Sequence, residues 1–243
     1  MYDQIQSTAH ELRLFGIHNS LERRCQEALS ENLHPSELVR LLLEDERDAR
    51  RRAVAKRLAT QAKFRNSSSL EEWDQSFDRG ITKAKLKELS LLNFYHKRQN
   101  LLIIGKTGVG KTHLAISLGK RLCDDGAKTR FFSTNLFFEE VAAEKAAGTY
   151  LRFVKRIVKL EVLILDDFAL RSYSHDEANI LQDILEERYG KGVTILTSQV
   201  SPTGWKTLFE DAVIAESITD RLRNPAEEIN LKGNSYRDKK GSN

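Results

Sequence analysis

The sequence predicts an α/β fold in which a five-stranded parallel sheet is covered by helices and preceded by a small all-helical domain. Up to about Phe64 the only glycine is Gly16 and the only proline is Pro35, a composition typical of helices. After residue 66, short apolar runs alternate with helical segments. A glycine-rich motif follows the first of these runs. Together the three observations indicate a helical domain followed by an α/β domain.

The N-terminal helices are predicted from apolar residues that recur at helical spacing. These residues are Leu38, Leu41, Leu42, Val54 and Leu58. The polar cluster Asn66-Ser67-Ser68-Ser69 ends the pattern. We place the domain limit there, with residues 1–66 in the helical domain and residues 67–243 in the α/β domain. Ser69 is predicted to cap a short helix over residues 70–73, because its hydroxyl can accept from free backbone N–H groups.

Five apolar runs are predicted to form the strands of the sheet. They cover residues 100–104, 129–133, 162–165, 193–196 and 228–231. The first, third and fourth runs are continuously apolar, as expected for parallel strands that helices cover on both faces. The fifth run alternates between polar and apolar residues, which places it nearer an edge of the sheet.

The composition is that of a globular protein able to bury a core, with 243 residues, of which 40% are hydrophobic and 30% charged. No apolar run approaches the roughly 20 residues that span a bilayer, and the N-terminus lacks a signal-peptide pattern. We therefore expect a cytoplasmic protein without membrane contact. Cys25 and Cys123 are far apart in sequence and match no metal or redox spacing, so no disulfide is predicted.

Residues 105–112 read Gly-Lys-Thr-Gly-Val-Gly-Lys-Thr, the full phosphate-loop pattern, between a predicted strand and a helix that starts near Lys111. Glycines let consecutive N–H groups point at phosphate oxygens, and the helix N-terminus adds its positive dipole end. The predicted ATP site consists of Gly105, Lys106, Thr107, Gly108, Val109, Gly110, Lys111, Thr112 and His113. Lys111 would reach the β- and γ-phosphates, and the Thr112 hydroxyl would ligate Mg²⁺.

Paired carboxylates, Asp166 and Asp167, follow the third predicted strand. They lie at the strand end where open α/β sheets bind ligands. Asp166 is predicted to contact Mg²⁺, directly or through water, and Asp167 to orient and activate the attacking water. An ordinary solvated turn is the alternative.

Two later segments narrow the class of nucleotide-binding protein. Thr197-Ser198-Gln199 follows the fourth strand, and residues 217–222, which include Arg221, precede the fifth. With the phosphate loop and the paired aspartates, these segments resemble the AAA+ ATPases, and more narrowly the IstB-like transposition helpers and the DnaC-type helicase loaders. The resemblance covers nearly the whole chain, from the N-terminal helices through Leu70–Trp73 and Phe77 to Ser235-Tyr236-Arg237.

The resemblance implies roles for further residues. Gln199, with Ser198 beside it, would be the sensor of the γ-phosphate. Arg221 would be an arginine finger that reaches the nucleotide of a neighbouring subunit, so that active sites are shared within a homo-oligomer. Little chain follows the fifth strand, which implies that a full lid domain is absent and that Arg237 does some of the work of a lid arginine; a solvated tail residue is the alternative.

The chain departs from the family pattern at two of these positions. Asp167 stands where most AAA+ proteins carry glutamate, and its shorter side chain implies slow hydrolysis that assembly, DNA or a partner stimulates. Gln199 stands where asparagine is common, although IstB-like proteins often carry glutamine there.

Two stretches are basic without any acidic residue, which indicates an anionic partner although the net charge is only +4. The first carries Arg50, Arg51, Arg52, Lys56, Arg57, Lys63 and Arg65; the second carries Lys145, Arg152, Lys155, Arg156 and Lys159. The second lies within residues 136–159, which are long enough for two helices and match the place where the loader branch of AAA+ proteins meets nucleic acid. We predict largely sequence-independent DNA binding, to duplex more than to single strands, because no base-reading motif occurs. A solvated helix face is the alternative for each stretch.

The predicted function is that of an ATP-dependent DNA-binding ATPase that assembles on DNA and regulates a transposase. A replicative helicase loader is the alternative with the same fold. The paired aspartates and Arg221 argue against a small-molecule kinase, and the lack of an Asn-Lys-x-Asp motif argues against a GTPase. A DNA scaffold that senses ATP without hydrolysing it is a third alternative, because of Asp167.

Overall fold

A computed structural model of the chain describes residues 2–236. The chain forms two compact units, Met1–Arg57 and Leu58–Asn243. The domain limit expected near residue 66 stays a prediction.

The N-terminal unit is helical. α1 spans Tyr2–Glu11, α2 spans Phe15–Ser30, and α3 begins at Pro35 and runs to Ala62, so that its last residues belong to the second unit. Gly16 packs against α3, where an added Cβ would overlap the backbone of Asp45 and Glu46. The buried Glu46 carboxylate accepts from the Gly16 N–H at 2.7 Å. The lack of space therefore requires glycine at this position.

The second unit is built on a parallel sheet with the strand order β2-β3-β4-β1-β5. The strands are β1 Asn100–Ile104, β2 Thr129–Ser133, β3 Val162–Phe168, β4 Val193–Ser198 and β5 Ala226–Asn230. The five-stranded prediction is confirmed. The three continuously apolar runs are the inner strands β1, β3 and β4, and the alternating fifth run lies at an edge, as expected.

Alternate residues of the inner strands enter two hydrophobic cores, one on each face of the sheet. Leu101 and Ile103 of β1 pack on one side with residues of α6 (Lys111–Asp124), whereas Leu102 and Ile104 belong to the other core. That second core is covered by α7 Thr134–Ala146, α8 Tyr150–Val158, α9 His175–Arg188 and α11 Ala212–Arg223. The two helices expected within residues 136–159 are thus α7 and α8. The remaining helices are α4 Lys83–Ser90, α5 Asn93–His96 and α10 Pro202–Trp205. Within residues 2–236, none of the helices is long and apolar enough to cross a bilayer.

The prediction of a helix over residues 70–73 is wrong, because this segment forms a single turn. The Trp73 N–H donates to the Leu70 carbonyl at 3.2 Å, and the Ser69 N–H donates to the Glu72 carboxylate at 3.2 Å. One turn fixes several backbone dihedrals for a single hydrogen bond, so it does not grow into a helix unless more residues follow in helical conformation.

The edge of the sheet where the strands begin, which we call the amino edge, is closed by hydrogen bonds within the chain. Arg188, at the end of α9, is only 2% exposed and donates to the carbonyls of Ile157, Leu160 and Val193 at 2.9, 2.7 and 2.8 Å. Burial lowers the pKa of its guanidinium to about 10. Because its hydrogen bonds reach three carbonyls, Arg188 connects α8, α9 and β4.

Asn100 closes the same edge from the first residue of β1. Its side-chain amide donates to the carbonyls of Arg221 and Leu222 at 3.0 and 3.1 Å, and its side-chain oxygen accepts from the Thr194 N–H at 2.7 Å. This one side chain therefore connects β1, β4 and the end of α11.

The two cysteines have different surroundings. Cys123 of α6 is fully buried beside Leu58 and Ala62, and burial raises the pKa of its thiol to about 11. Cys25 lies on α2, where it is partly exposed.

Candidate nucleotide-binding site

The phosphate loop, residues 105–110, joins β1 to α6. Gly108 and Gly110 have φ values of +82° and +102°, in the left-handed region that residues with a Cβ rarely adopt. α6 begins at Lys111, as predicted. The Lys111 side chain is buried, and its Nζ donates to the Lys106 carbonyl at 3.0 Å. Backbone donors, a helix N-terminus and an ammonium group thus meet in one loop, which is an anion-binding arrangement.

Asp166 lies behind the phosphate loop, where it is fully buried near the end of β3. Its carboxylate accepts from the Thr112 hydroxyl at 2.9 and 3.0 Å and from the Thr197 hydroxyl at 2.6 Å. The strand order produces this cluster, because β4, which carries Thr197, lies between β1 and β3. Thr112 and Asp166, predicted from separate motifs as metal ligands, are therefore in direct contact.

The surroundings of Asp166 suit a divalent cation. Burial raises the pKa of its carboxyl, and the hydrogen bonds from Thr197 and Thr112 act in the opposite direction. A carboxylate and a hydroxyl are hard oxygen ligands, and Mg²⁺ typically binds one or two carboxylates together with phosphate oxygens and water. The donor set of Asp166 and Thr112 therefore fits Mg²⁺.

Asp167 has a left-handed backbone with a φ of +59°. Its N–H donates to the Thr197 hydroxyl at 2.9 Å, and the register between β3 and β4 shifts between Leu165 and Phe168. A non-glycine residue in this region costs about 1–2 kcal/mol, and such conformations concentrate at functional sites. The irregular strand end places Asp167 on the wall of the cleft described next.

A cleft of about 860 Å³ opens beside the phosphate loop. Small-molecule sites usually measure about 300–1,000 Å³, so the cleft can hold a nucleotide. The predicted residues that line it are Thr107, Gly108, Gly110, Lys111, Thr112, His113, Asp167 and Gln199. The structure thus brings residues from the loop, β3 and β4 to one cavity.

Sequence reasoning missed part of the cleft wall. Arg65, Arg79 and Tyr236 line it as well, and the Arg65 guanidinium lies 3.8 Å from the Asp166 carboxylate. Arg65 was expected only as part of a basic stretch. No motif marks Arg79 or Tyr236, although both fall in segments included in the resemblance.

The three polar residues at the end of β4 have different contacts. The Thr107 hydroxyl donates to Gln199 Oε1 at 2.7 Å, which ties the expected sensor to the phosphate loop. The Ser198 hydroxyl instead donates to the Val200 carbonyl at 2.9 Å and is fully buried. Thr197 contacts Asp166, as described above. Within Thr197-Ser198-Gln199 the first and third residues therefore face the site, because neighbouring strand residues point to opposite sides.

The remaining predicted loop residues differ in exposure. Lys106 has an exposed side chain, and Val109 is fully buried in the core. His113 lines the cleft, and its Nε2 lies 2.9 Å from the Ser69 carbonyl. These residues keep their nucleotide-binding role as a prediction, in which Lys106 and Val109 contribute through the loop backbone.

The segment after β5 crosses the phosphate loop. The Leu231 N–H donates to the Ile104 carbonyl at 2.7 Å, and the Tyr236 N–H donates to the Gly108 carbonyl at 2.9 Å. Ser235 fills the space beside Gly108, where an added Cβ would collide with the serine hydroxyl. Arg237, the expected lid arginine, lies outside the described residues.

Arg221 lies at the amino edge, where its carbonyl accepts from Asn100. Its Nε and Nη2 donate to the Glu186 carboxylate at 2.5 and 3.2 Å. The phosphate loop begins at the other end of β1, a strand length of about 15 Å away. Arg221 therefore does not contribute to the site of its own chain.

The second basic stretch contains no acidic residue, but acidic residues from outside the stretch lie next to it in the structure. Lys145 forms an ion pair with Asp176 at 2.8 Å, and Arg156 with Glu144 at 2.6 Å. Arg152, Lys155 and Lys159 are exposed, with no ion pair to any of residues 2–236. These three form the exposed basic face of α8 and its C-terminus.

The first basic stretch follows the exposed surface of α3. Arg50 pairs with Glu46 at 2.6 Å. The other predicted DNA contacts here are exposed, namely Arg51, Arg52, Lys56 and Arg57 on α3 and Lys63 after its end.

Comparison with known proteins agrees with this geometry. The profile of a family described as IstB-like ATP binding protein matches residues 7–243. An ATP-binding protein of an insertion sequence in Mycobacterium tuberculosis is 31% identical over 237 residues, 97% of this chain and 94% of the relative. The ATP-binding protein of insertion sequence IS21 in Pseudomonas aeruginosa is 30% identical over 226 residues, 93% of this chain and 85% of the relative.

A solved structure supports the fold. The crystal structure of the DnaC helicase loader superposes with a TM-score of 0.53 and 21% identity, covering 68% of this chain and 97% of that chain. The five-stranded sheet with its phosphate loop is thus an AAA+ fold.

Proposed function

Because the chain belongs to the family of IstB-like ATP-binding proteins, we propose that it is an ATPase that assembles on DNA and regulates the transposase of an insertion sequence. The observation that carries the proposal is the hydrogen bond of Thr112 to Asp166, beside a left-handed Asp167. It joins the phosphate loop to a strand-end carboxylate pair, and hydrolysis needs both a phosphate cradle and a group that positions water.

The side chains of the cleft have different roles in hydrolysis. Lys111 binds the β- and γ-phosphates as a point charge. Asp167 accepts a proton from the attacking water and orients it, and Gln199, tied to Thr107, lies beside the γ-phosphate. Arg237 is proposed to add a second cation from the C-terminal segment. Turnover is slow, because the short Asp167 side chain positions water less closely than a glutamate would.

Mg²⁺ would be held by Thr112 and Asp166, together with phosphate oxygens and water. When bound, the ion neutralises phosphate charge during phosphoryl transfer. Thr197 keeps the Asp166 carboxylate oriented through the 2.6 Å hydrogen bond.

Arg221 is proposed to complete the site of a neighbouring subunit. It lies at the amino edge with a side chain 31% exposed, so another copy of the chain can approach it. A guanidinium supplied in this way stabilises charge on the transferred phosphoryl group and makes hydrolysis depend on assembly.

DNA is proposed to bind the exposed basic face formed by Arg152, Lys155 and Lys159. Phosphate contacts position a protein without reading bases, so binding is largely sequence-independent and favours duplex. Lys145 and Arg156 contribute less, since they already pair with Asp176 and Glu144. The exposed basic residues of α3 form a second candidate surface.

A transposase is the proposed partner, because the relatives named above are ATP-binding proteins of insertion sequences. The helicase-loader alternative is supported by the fold alone. An assay of strand transfer by the transposase of the same insertion sequence separates the two. Stimulation that requires this chain and ATP supports the proposal, whereas stimulation only of helicase loading contradicts it.

The DNA proposal is tested by titrating a fluorescent duplex with the protein in ATP, in ADP and without nucleotide, at several salt concentrations. Binding should require ATP and weaken steeply with salt. The double variant Lys155→Gln/Lys159→Gln should flatten the log–log salt slope by about 0.9 per lost contact. The matched control is Lys87→Gln/Lys97→Gln, which removes two exposed lysines elsewhere. Equal slopes in both double variants would show that the α8 face is only solvated.

A further inference from the structure

A buried arginine lies against the phosphate loop. Arg79 precedes α4, and only 4% of it is exposed. A Cβ added to Gly110 would lie 2.8 Å from Arg79 Nη1 and 3.3 Å from the Trp73 ring. The guanidinium is therefore in contact range of the loop residue that precedes Lys111, and it lines the nucleotide cleft.

Aromatic rings hold this guanidinium in place. Its Cζ lies 3.7 Å from the Trp73 ring centroid and 4.5 Å from the Tyr236 ring centroid. Tyr236 is itself fixed to the loop by its backbone bond to the Gly108 carbonyl. A planar guanidinium stacks well on aromatic faces, so Arg79 is presented to the loop in a restricted orientation.

The hydrogen-bonding groups of Arg79 are incompletely used. Nη2 donates to the Asp74 carbonyl at 3.0 Å, whereas Nε is buried with no hydrogen-bond partner among residues 2–236. Within residues 2–236, no carboxylate lies within 4.0 Å of this guanidinium. Burying a charge is costly unless it is paired and hydrogen-bonded. Arg188 Nε is likewise without a partner among residues 2–236, but the Nη atoms of Arg188 donate to three carbonyls, whereas those of Arg79 donate to one.

We propose that Arg79 is a phosphate-binding residue whose ligand is the part of a nucleotide common to ATP and ADP, the α- and β-phosphates. Asp167 and Gln199 are proposed above to act at the γ-phosphate, whereas Arg79 lies with Trp73 and Tyr236 beside the loop glycines. The Asp74 carboxylate acts on Arg79 only from beyond ion-pair distance, so phosphate oxygens would supply directly bonded anionic acceptors, in the planar geometry that arginine favours. The inference rests on the proposed nucleotide site and adds to it a cation that lies outside the phosphate-loop motif.

The test compares Arg79→Gln, Arg79→Lys and the matched control Lys87→Gln, which removes an exposed charge from α4. Calorimetric titrations with ATP and with ADP give the dissociation constants in Mg²⁺ buffer and in EDTA. Thermal unfolding of each nucleotide-free variant reports folding. No hydrolysis or DNA is involved, so the result does not depend on those parts of the proposed function.

Arg79→Gln should raise the dissociation constants for ATP and for ADP by the same factor, about 10- to 100-fold. This factor corresponds to the loss of one charge-assisted hydrogen bond. Arg79→Lys should lose less, because the charge remains while the planar fork is lost, and Lys87→Gln should match the wild type. Unchanged affinities in the arginine variants, whether or not they unfold at lower temperature, would make Arg79 a structural residue and overturn the proposal. A weaker affinity for ATP with an unchanged affinity for ADP would also overturn the proposal. If Arg79→Gln does not fold, the affinities of Arg79→Lys decide in the same way. A wild-type chain that bound neither nucleotide would instead refute the proposed site as a whole.

Discussion

The two edges of the sheet use polar groups in opposite ways. At the amino edge, Arg188 and Asn100 bond to carbonyls and N–H groups of neighbouring elements, so the chain itself supplies the partners. At the edge where the strands end, glycines and Asp167 have left-handed backbones, and the buried Arg79 guanidinium makes one hydrogen bond with residues 2–236, to the Asp74 carbonyl. The edge proposed to bind nucleotide thus has a buried guanidinium with few acceptors among the described residues, whereas the side chains at the opposite edge hold the fold together.

The strongest test of this division concerns Arg221, the amino-edge residue proposed to act in chemistry. Arg221→Ala should leave ATP binding unchanged and reduce assembly-stimulated hydrolysis by about 10³-fold, because an arginine finger contributes at least this much. Mixing it with Asp167→Asn should restore part of the activity, since one interface then contains both intact residues. Steady-state hydrolysis of the mixed and separate proteins is the measurement. No recovery, with both variants assembled, would mean that the amino edge is structural only.

At the opposite edge, Lys111→Ala should lower hydrolysis by about 10²–10³-fold through loss of a charged phosphate ligand. Nucleotide affinity should fall as well, while the unfolding midpoint stays close to that of the wild type. Lys97→Ala, on an exposed lysine, is the control. A variant that hydrolyses ATP at the wild-type rate would place the nucleotide elsewhere.

Arg188→Leu should show the reverse pattern. The carbonyls of Leu160 and Val193 lose the Arg188 donor, while the Ile157 carbonyl still accepts from the Leu160 N–H. A buried acceptor left without a partner costs about 1–3 kcal/mol. We expect the free energy of unfolding in urea to fall by about 2–4 kcal/mol, with the ATP affinity of the folded fraction unchanged. A stable variant with altered affinity would contradict the separation of the two edges.

Glu186→Gln should have the smallest effect. Its ion pair with Arg221 lies on the surface, and exposed pairs contribute little to stability. The thermal midpoint should equal that of the wild type, and stimulated hydrolysis should persist because Arg221 is retained. A large loss of stability would show that Arg221 is part of the bonding of the amino edge and is not available to a neighbour.

The parts of this molecule that local sequence determines were predictable. The strands follow apolar runs, and the phosphate loop and Asp166 stand in contiguous motifs. The role of Thr197 was not predictable in the same way, because it depends on β4 lying between β1 and β3. Spacing along the chain also could not show that Asp176 neutralises Lys145.

The surroundings of Arg79 also could not be predicted from local sequence. Its neighbours Gly110 and Tyr236 are 31 and 157 positions away in the chain, so no local pattern relates them. Their proximity follows from the path of the C-terminal segment across the phosphate loop. The turn at residues 70–73, mistaken for a helix, leads to Trp73, which packs against the same guanidinium.

The burial of Cys123 has a practical consequence. The thiolate is the nucleophile that attacks a maleimide. A thiol with a pKa of about 11 that is also fully buried supplies almost no thiolate at neutral pH. The chain has two cysteines, so a maleimide dye would attach at Cys25 alone. The native sequence is thus ready for single-position labelling, and energy transfer between donor-labelled and acceptor-labelled copies could follow self-assembly in real time without an engineered cysteine.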